Sequence, residues 1–132
     1  MISWSDVAPL FTTTAVAHLA TVGADGGPRS VPLWIDVEGE SDLVFFTVAG
    51  SLKDRNIARD PRVAISITEP GRPLHMATVR GEVVERLEGD AAMPTVDRIS
   101  RKYTGEPYEL REGLVVMVVR PTSWWALDYS DE

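Results

Sequence analysis

Val16-Ala17-His18-Leu19-Ala20-Thr21-Val22, Ala24-Asp25-Gly26-Gly27 and Arg29-Ser30-Val31-Pro32-Leu33-Trp34 follow one another in the first third of the chain. The first run places His18, Ala20 and Val22 on one face of an extended strand and Leu19 and Thr21 on the other. Asp-Gly and Gly-Gly supply the positive φ that tight hairpins require, so 24–27 is a turn. Arg29–Val37 is then the returning strand, and Pro32 puts it at an edge or a bulge, because proline has no ladder donor. After a short helix over Trp4–Phe11, the chain therefore opens on a β-hairpin.

Outward from that hairpin the punctuation stays that of a β protein. Glu38-Gly39-Glu40-Ser41 turns into the apolar strand Leu43–Val48. Ser51–Arg59 reads as a helix stopped by Asp60-Pro61, Arg62–Thr68 as a strand, and Pro70-Gly71-Arg72-Pro73 as a turn. A long strand runs from Leu74 to about Leu87, with Gly81 marking a bulge or sharp bend. Val96, Ile99 and Tyr103 fall at helical spacing, which predicts a helix over Pro94–Thr104. The last strand, Leu114–Val119, continues toward Trp125 and Tyr129. No repeat or linker divides the 132 residues, so residues 1–132 form one domain. Its predicted class is mainly β (α+β), six strands with two or three short helices, closed or nearly closed into a barrel.

Leu114-Val115-Val116-Met117-Val118-Val119 is apolar at both parities. Alternate side chains face opposite ways, so both faces of this strand need cover. Trp124 and Trp125 repeat the argument, since neighbours on a strand cannot both point into one interior. A homodimer supplies the second cover economically; a helix packed outside the barrel is the alternative.

The formal net charge of −7 argues against nonspecific nucleic-acid binding and against docking on acidic membranes. An anionic ligand must therefore be held by a local basic cluster. With no cysteine, disulfides, thiolate metal sites and a cysteine nucleophile are excluded. His18 and His75 are the two histidines and have no metal-like partners nearby in sequence, so no metal site is predicted. No secretory signal and no membrane span is read, and a cytoplasmic location is expected. Glu82, Glu85, Arg86 and Glu88 read as a solvated strand face.

Ser51-Leu52-Lys53-Asp54-Arg55-Asn56 follows the strand ending in Phe45-Phe46-Thr47. Ser51 with Asp54 is a capping-box pattern, making Ser51 the N-cap. A helix start with unpaired N–H groups, a hydroxyl and Lys53 is suited to a phosphate. The alternative is a capped surface helix with solvated charges. Arg29, opening a strand that ends in Trp34, could reach the same phosphate, or be an ordinary exposed arginine.

Together these runs, with Arg55-Asn56-Ile57-Ala58-Arg59-Asp60-Pro61-Arg62-Val63, resemble the pyridoxamine 5'-phosphate oxidase-like split-barrel superfamily. Within it they are similar to the actinobacterial flavin/deazaflavin oxidoreductases of the B branch. The resemblance implies a six-stranded split β-barrel acting as a homodimer. It implies that Ser51, Lys53 and Arg29 meet a cofactor phosphate, that Val31, Pro32 and Leu33 edge the ring with Thr47 on its ring or ribityl side, and that Leu52 and Asn56 of the phosphate-binding helix complete the cofactor site. Arg55 and Arg59 would serve a longer anionic tail, and Trp124 or Trp125, with Trp125 preferred, would approach from the other subunit. Trp34 stands where pyridoxamine phosphate oxidases carry a lysine, and the C-terminus lacks their arginine- and histidine-bearing motif. The implied activity is F420-dependent hydride transfer to a small conjugated organic substrate. FMN is the alternative cofactor, and a non-catalytic flavin, F420 or haem carrier the alternative class. No catalytic residue is assigned; Tyr103, Tyr108 and solvent are the candidate proton donors.

Overall fold

The computed structural model describes residues 2–129. A one-turn helix, α1 (Trp4–Val7), runs into a 3-10 turn (Ala8–Thr12). The expected single helix divides there because Pro9 has no N–H to continue an α-helical ladder. Seven strands follow: β1 (Ala17–Val22), β2 (Pro28–Leu33), β3 (Asp36–Glu38), β4 (Asp42–Val48), β5 (Arg62–Glu69), β6 (Arg72–Glu88) and β7 (Leu114–Asp128). α2 (Leu52–Arg59) follows β4 and α3 (Met93–Thr104) follows β6.

All pairings are antiparallel, in the order β2-β1-β5-β6-β7-β4-β3. β2 and β3 are thus the two edges of the sheet, yet Trp34 and Ile35 alone separate them in the chain. Three peptide steps span about 11 Å at most, so the sheet curls until its edges approach. β2 pairs with β1 and β3 with β4, and no ladder joins β2 to β3. The barrel is split.

The strand expected over Arg29–Val37 breaks in two at this corner, which makes seven strands rather than six. Ile35 is fully buried, and side chains of α3 serve its peptide groups in place of a ladder. Its N–H donates to Tyr103 Oη at 3.2 Å, and its carbonyl accepts from Lys102 Nζ. The hairpin before it forms as expected, with Gly26 at φ +83° and Gly23 N–H donating to the Gly27 carbonyl at 2.7 Å.

Leu19, Phe45, Ile65, Val79 and Met117 fill the barrel, and Val7, Leu10 and Phe11 of the N-terminal segment pack against them. The outer face of β7 is a correction to the expectation. Val116 and Val118 are covered by the chain's own Val96 and Ile99 on α3, with no partner subunit needed there. Each such burial contributes about 1.5–3 kcal/mol, and apolar parity alone cannot distinguish the two kinds of cover. Farther along β7, Trp124 turns inward against Trp4 at 5.3 Å and donates its Nε1–H to the Ile2 carbonyl at 2.9 Å. Trp125 faces out and is 43% exposed.

The bulge expected at Gly81 is present, as the β6–β7 register shifts between Arg80 and Gly81. A Cβ at Gly81 would lie 2.5 Å from the Arg120 carbonyl oxygen, so backbone would have to move. Gly81→Ala is expected to cost about 1–3 kcal/mol; urea unfolding measures it, and a variant as stable as the parent would contradict this close approach.

Two side chains are more deeply engaged than the sequence suggests. Arg86 is not merely part of a solvated strand face: it reaches Asp54 on α2, with Nε 3.0 Å from Oδ1 and Nη2 2.8 Å from Oδ2, and also pairs with Glu88. Lys102 is half-buried, donates to the Phe11 and Ile35 carbonyls and lies 3.8 Å from Asp36. Burial pushes its ammonium below the usual lysine range.

Candidate functional site

The split has two banks. One is the free edge of β2, from Arg29 through Val31, Pro32 and Leu33. The other is the C-terminal half of β4: β3 pairs with β4 over Asp42–Val44 and leaves Phe45–Val48 uncovered on that side. At the end of β4 the chain turns at Gly50, φ +79°, into α2. The topology thus places Arg29, Val31, Pro32 and Leu33 on the β2 edge and Thr47, Ser51, Leu52 and Lys53 on β4 and the start of α2.

Ser51 is the N-cap of α2 in extended geometry, and its Oγ accepts from Asp54 N–H at 3.4 Å. Thr47 Oγ1, nearly buried, lies 3.1 Å from the same Oγ. The capping box is half formed. The Asp54 carboxylate accepts from Gly50 N–H at 2.8 Å instead of returning to Ser51. The Arg86 guanidinium, first, and that Gly50 bond hold the Asp54 carboxyl below the usual carboxylate value. The backbone N–H groups of Leu52 and Lys53 have no partner among the described residues, as expected for a first helical turn.

Asn56 lies inside the molecule and is fully buried. Its Nδ2 donates to Thr21 Oγ1 at 3.1 Å, and its Oδ1 accepts from Arg59. Thr21 sits opposite Arg29 in the hairpin register, so Asn56 ties α2 to the β1–β2 bank and sets the distance across the split. Arg29 and Arg55 are exposed and Lys53 half-buried. None of the three has an acidic partner among the described residues, whereas Arg62, Arg72, Arg86, Arg98, Arg111 and Arg120 are all ion-paired. Arg59, Arg80 and Arg101 likewise have no salt bridge among the described residues, on α2, β6 and α3, although Arg101 lies in the field of Asp97. In a chain of net charge −7, unpaired cations beside free N–H groups fit an anionic group such as a phosphate. The free β2 edge offers a flat bank for a planar ring.

Trp125 is not at the split within its own chain. It lies opposite Thr78 on the outer face of β7, beside a hollow of about 210 Å3 lined by His18, Ser66 and Met76. Tyr103 is removed from the candidate proton donors: its hydroxyl donates to the Ala15 carbonyl at 2.7 Å, and burial pushes its pKa up. Tyr108 lines an open cleft with Trp34 and Phe46, a grouping no sequence pattern marks because its members come from distant segments. His18 is exposed, and His75 lies 3.7 Å from Glu69. Among the described residues no group of three or more His, Asp or Glu could hold a metal ion, and no helix is long and apolar enough to cross a membrane.

The chain resembles several solved structures. An F420 reductase is 32% identical, with a TM-score of 0.79 over 89% of this chain and 94% of that one. A conserved hypothetical protein from Mycobacterium tuberculosis is 23% identical, TM-score 0.79, over 98% and 87%. HupZ from Group A Streptococcus shares the fold at 18% identity, TM-score 0.70, over 98% and 96%. No curated protein matches the chain. The family model described as pyridoxamine 5'-phosphate oxidase matches residues 5–128. With that match running through both banks of the split, α2 and all seven strands, the chain belongs to the pyridoxamine 5'-phosphate oxidase family.

Proposed function

We propose that the protein is an F420-dependent oxidoreductase acting as a homodimer on a small conjugated organic substrate. The observation that carries the reading is the set of cations without acidic partners among the described residues, Arg29 at the start of β2 and Lys53 and Arg55 in the first half of α2, in an acidic chain whose α2 begins with free N–H groups. The likeness to an F420 reductase at 32% identity supports the choice of deazaflavin. In this reading Ser51, Leu52, Lys53 and Arg29 hold the phosphate, and Arg55 and Arg59 hold the rest of the anionic tail. Val31, Pro32 and Leu33 flank the ring on the β2 bank, and Thr47 on the β4 bank. Asn56 keeps the banks in register. When bound, the deazaflavin supplies a hydride; the chain supplies orientation and a site from which water is excluded.

Calorimetric and absorbance titrations with F420 and FMN test this. F420 is expected to bind more tightly, since Arg55 and Arg59 lie along the helix past the phosphate. Tighter binding of FMN would replace the reading with an FMN-dependent oxidoreductase. A Soret band on adding haem, ligated by His18 or His75, would replace it with a carrier.

The dimer reading rests on the outer face of β1, β5 and β6, which α3 does not cover. His18, Ala20, Ala64, Ser66 and Thr78 give it small and polar side chains, Arg80 stands opposite Ala64 at its margin, and Trp125 borders it. A second copy seated there is expected to bring its Trp125 toward the cofactor ring. Light scattering at micromolar concentration is expected to give twice the 14.5 kDa chain mass; a persistent monomer would remove the partner's share of the site.

A further inference from the structure

Four aromatic side chains meet where β2 gives way to β3. Trp34 stacks on Tyr103, with centroids 5.2 Å apart and planes 8° from parallel. Phe46 and Tyr108 stand across Trp34 at 71° and 80°, and their own centroids are 4.9 Å apart. Two hollows that share Trp34 and Tyr108 open against this cluster. The smaller, about 220 Å3, is bounded by Leu33, Trp34, Phe46 and Tyr108. The larger, about 690 Å3, extends along α3 and the 106–110 loop, a size within the roughly 300–1,000 Å3 of small-molecule sites. Leu33 belongs to the β2 bank, so the smaller hollow adjoins the split itself. Exposed Glu106 and Glu109 line the larger hollow. Neither carboxylate has an ion-pair partner among the described residues, and no basic side chain lines either hollow.

An aromatic cluster built only for packing would close on itself. This one leaves an open cleft rimmed by two carboxylates with no cation beside them in its lining. We propose that the cleft is the acceptor subsite and that it takes a planar, cationic heteroaromatic molecule. Its place beside the reacting ring rests on the cofactor reading above; the class of ligand does not. The rings offer π faces, which attract cations, and Glu106 and Glu109 add a local field of the same preference. The chemistry balances simply. A hydride would leave the reduced cofactor and form one C–H bond on the acceptor ring, its electron pair discharging the ring cation, while the oxidised cofactor would release its ring N–H proton to solvent. The acceptor itself requires no proton, which suits a site where the Tyr103 hydroxyl is already held by the Ala15 carbonyl.

The test uses the cofactor-free protein and two probes on one ring system, N-methylacridinium and acridine carboxylate. Binding is followed by the indole N–H resonances, with Trp34 assigned through Trp34→Phe. N-methylacridinium is expected to move the Trp34 signal, leave Trp4 and Trp124 in place, and bind about tenfold more tightly than the carboxylate. Glu106→Gln with Glu109→Gln, two exposed positions, is expected to narrow that preference to roughly threefold or less. Equal affinities in the parent, or a shift of Trp125 in place of Trp34, would overturn the proposal. A parallel F420 titration separates the two readings. If F420 binds and the acridinium does not, this inference falls alone. If the acridinium binds at Trp34 and F420 does not bind, the ligand class stands and the cofactor reading, with the acceptor role, falls.

Discussion

Lys53→Ala is expected to weaken cofactor binding about thirty- to a thousand-fold, while the cofactor-free variant melts within a few degrees of the parent. The loss corresponds to about 2–4 kcal/mol. That is the range for a charge-assisted bond made in a partly desolvated place, and Lys53 is half-buried beside the free N–H groups of α2. The fold should be nearly indifferent, because the Lys53 ammonium has no hydrogen bond or ion pair among the described residues. A lysine in the first turn is also slightly opposed to the helix dipole. Lys102→Ala, the obvious control from sequence, is unsuitable: it would strip the Phe11 and Ile35 carbonyls of their donor. Arg101→Ala removes the same charge from an exposed position on α3, with no hydrogen bond from its guanidinium among the described residues, and should leave affinity unchanged. Calorimetry with F420 measures all three proteins. Equal affinity for Lys53→Ala and the parent would reduce Ser51–Asp54 to an ordinary helix cap and leave the functional reading on family likeness alone.

What the sequence discloses here is what short-range chemistry decides. The hairpin at Asp25-Gly26, the edge position of Pro32, the N-cap at Ser51 and the bulge at Gly81 each depend on a few neighbouring residues, and each is found where expected. The gaps in the reading are contacts across long separations. The carboxylate of Asp54 is steered by Arg86, 32 positions on, so half of the capping box is diverted. Ile35 gives up its ladder to Tyr103, 68 positions on, and one expected strand becomes two. The apolar outer face of β7 demands cover, but period and parity are silent on whether α3 or a second chain provides it. The cap and cations of the proposed phosphate end are therefore readable in the sequence, being local to one turn. The aromatic cleft was not, because Trp34, Phe46, Tyr103 and Tyr108 come from three separate segments.

Arg86→Met is expected to destabilise the protein by about 2–3 kcal/mol at neutral pH and to do so progressively less in acid. The range for breaking a buried pair is about 3–5 kcal/mol; a lower figure applies because the Arg86 side chain is 38% exposed and partly screened. Removing the guanidinium leaves the Asp54 carboxylate, 6% exposed, with the Gly50 N–H and the Ser51 cap as its surroundings. The sign of the pH effect follows from Asp54. In the parent its folded-state pKa is depressed below 3.8, so the pair stabilises fully above the unfolded value and is lost as pH falls through the lower folded one. In the variant the unpaired, buried carboxylate titrates higher, and protonation relieves it first. The stability gap should thus be flat above about pH 6 and narrow on acidification, as the variant's Asp54 and then the parent's take up a proton. Cofactor affinity should track it, since an unneutralised carboxylate in the first turn of α2 repels a phosphate at that helix start. Urea unfolding of both proteins from pH 7 to pH 3 reads the gap directly. A gap that did not change with pH would assign the Arg86 contribution to packing of its stem over α2, and Asp54 would then have no part in preparing the anion site.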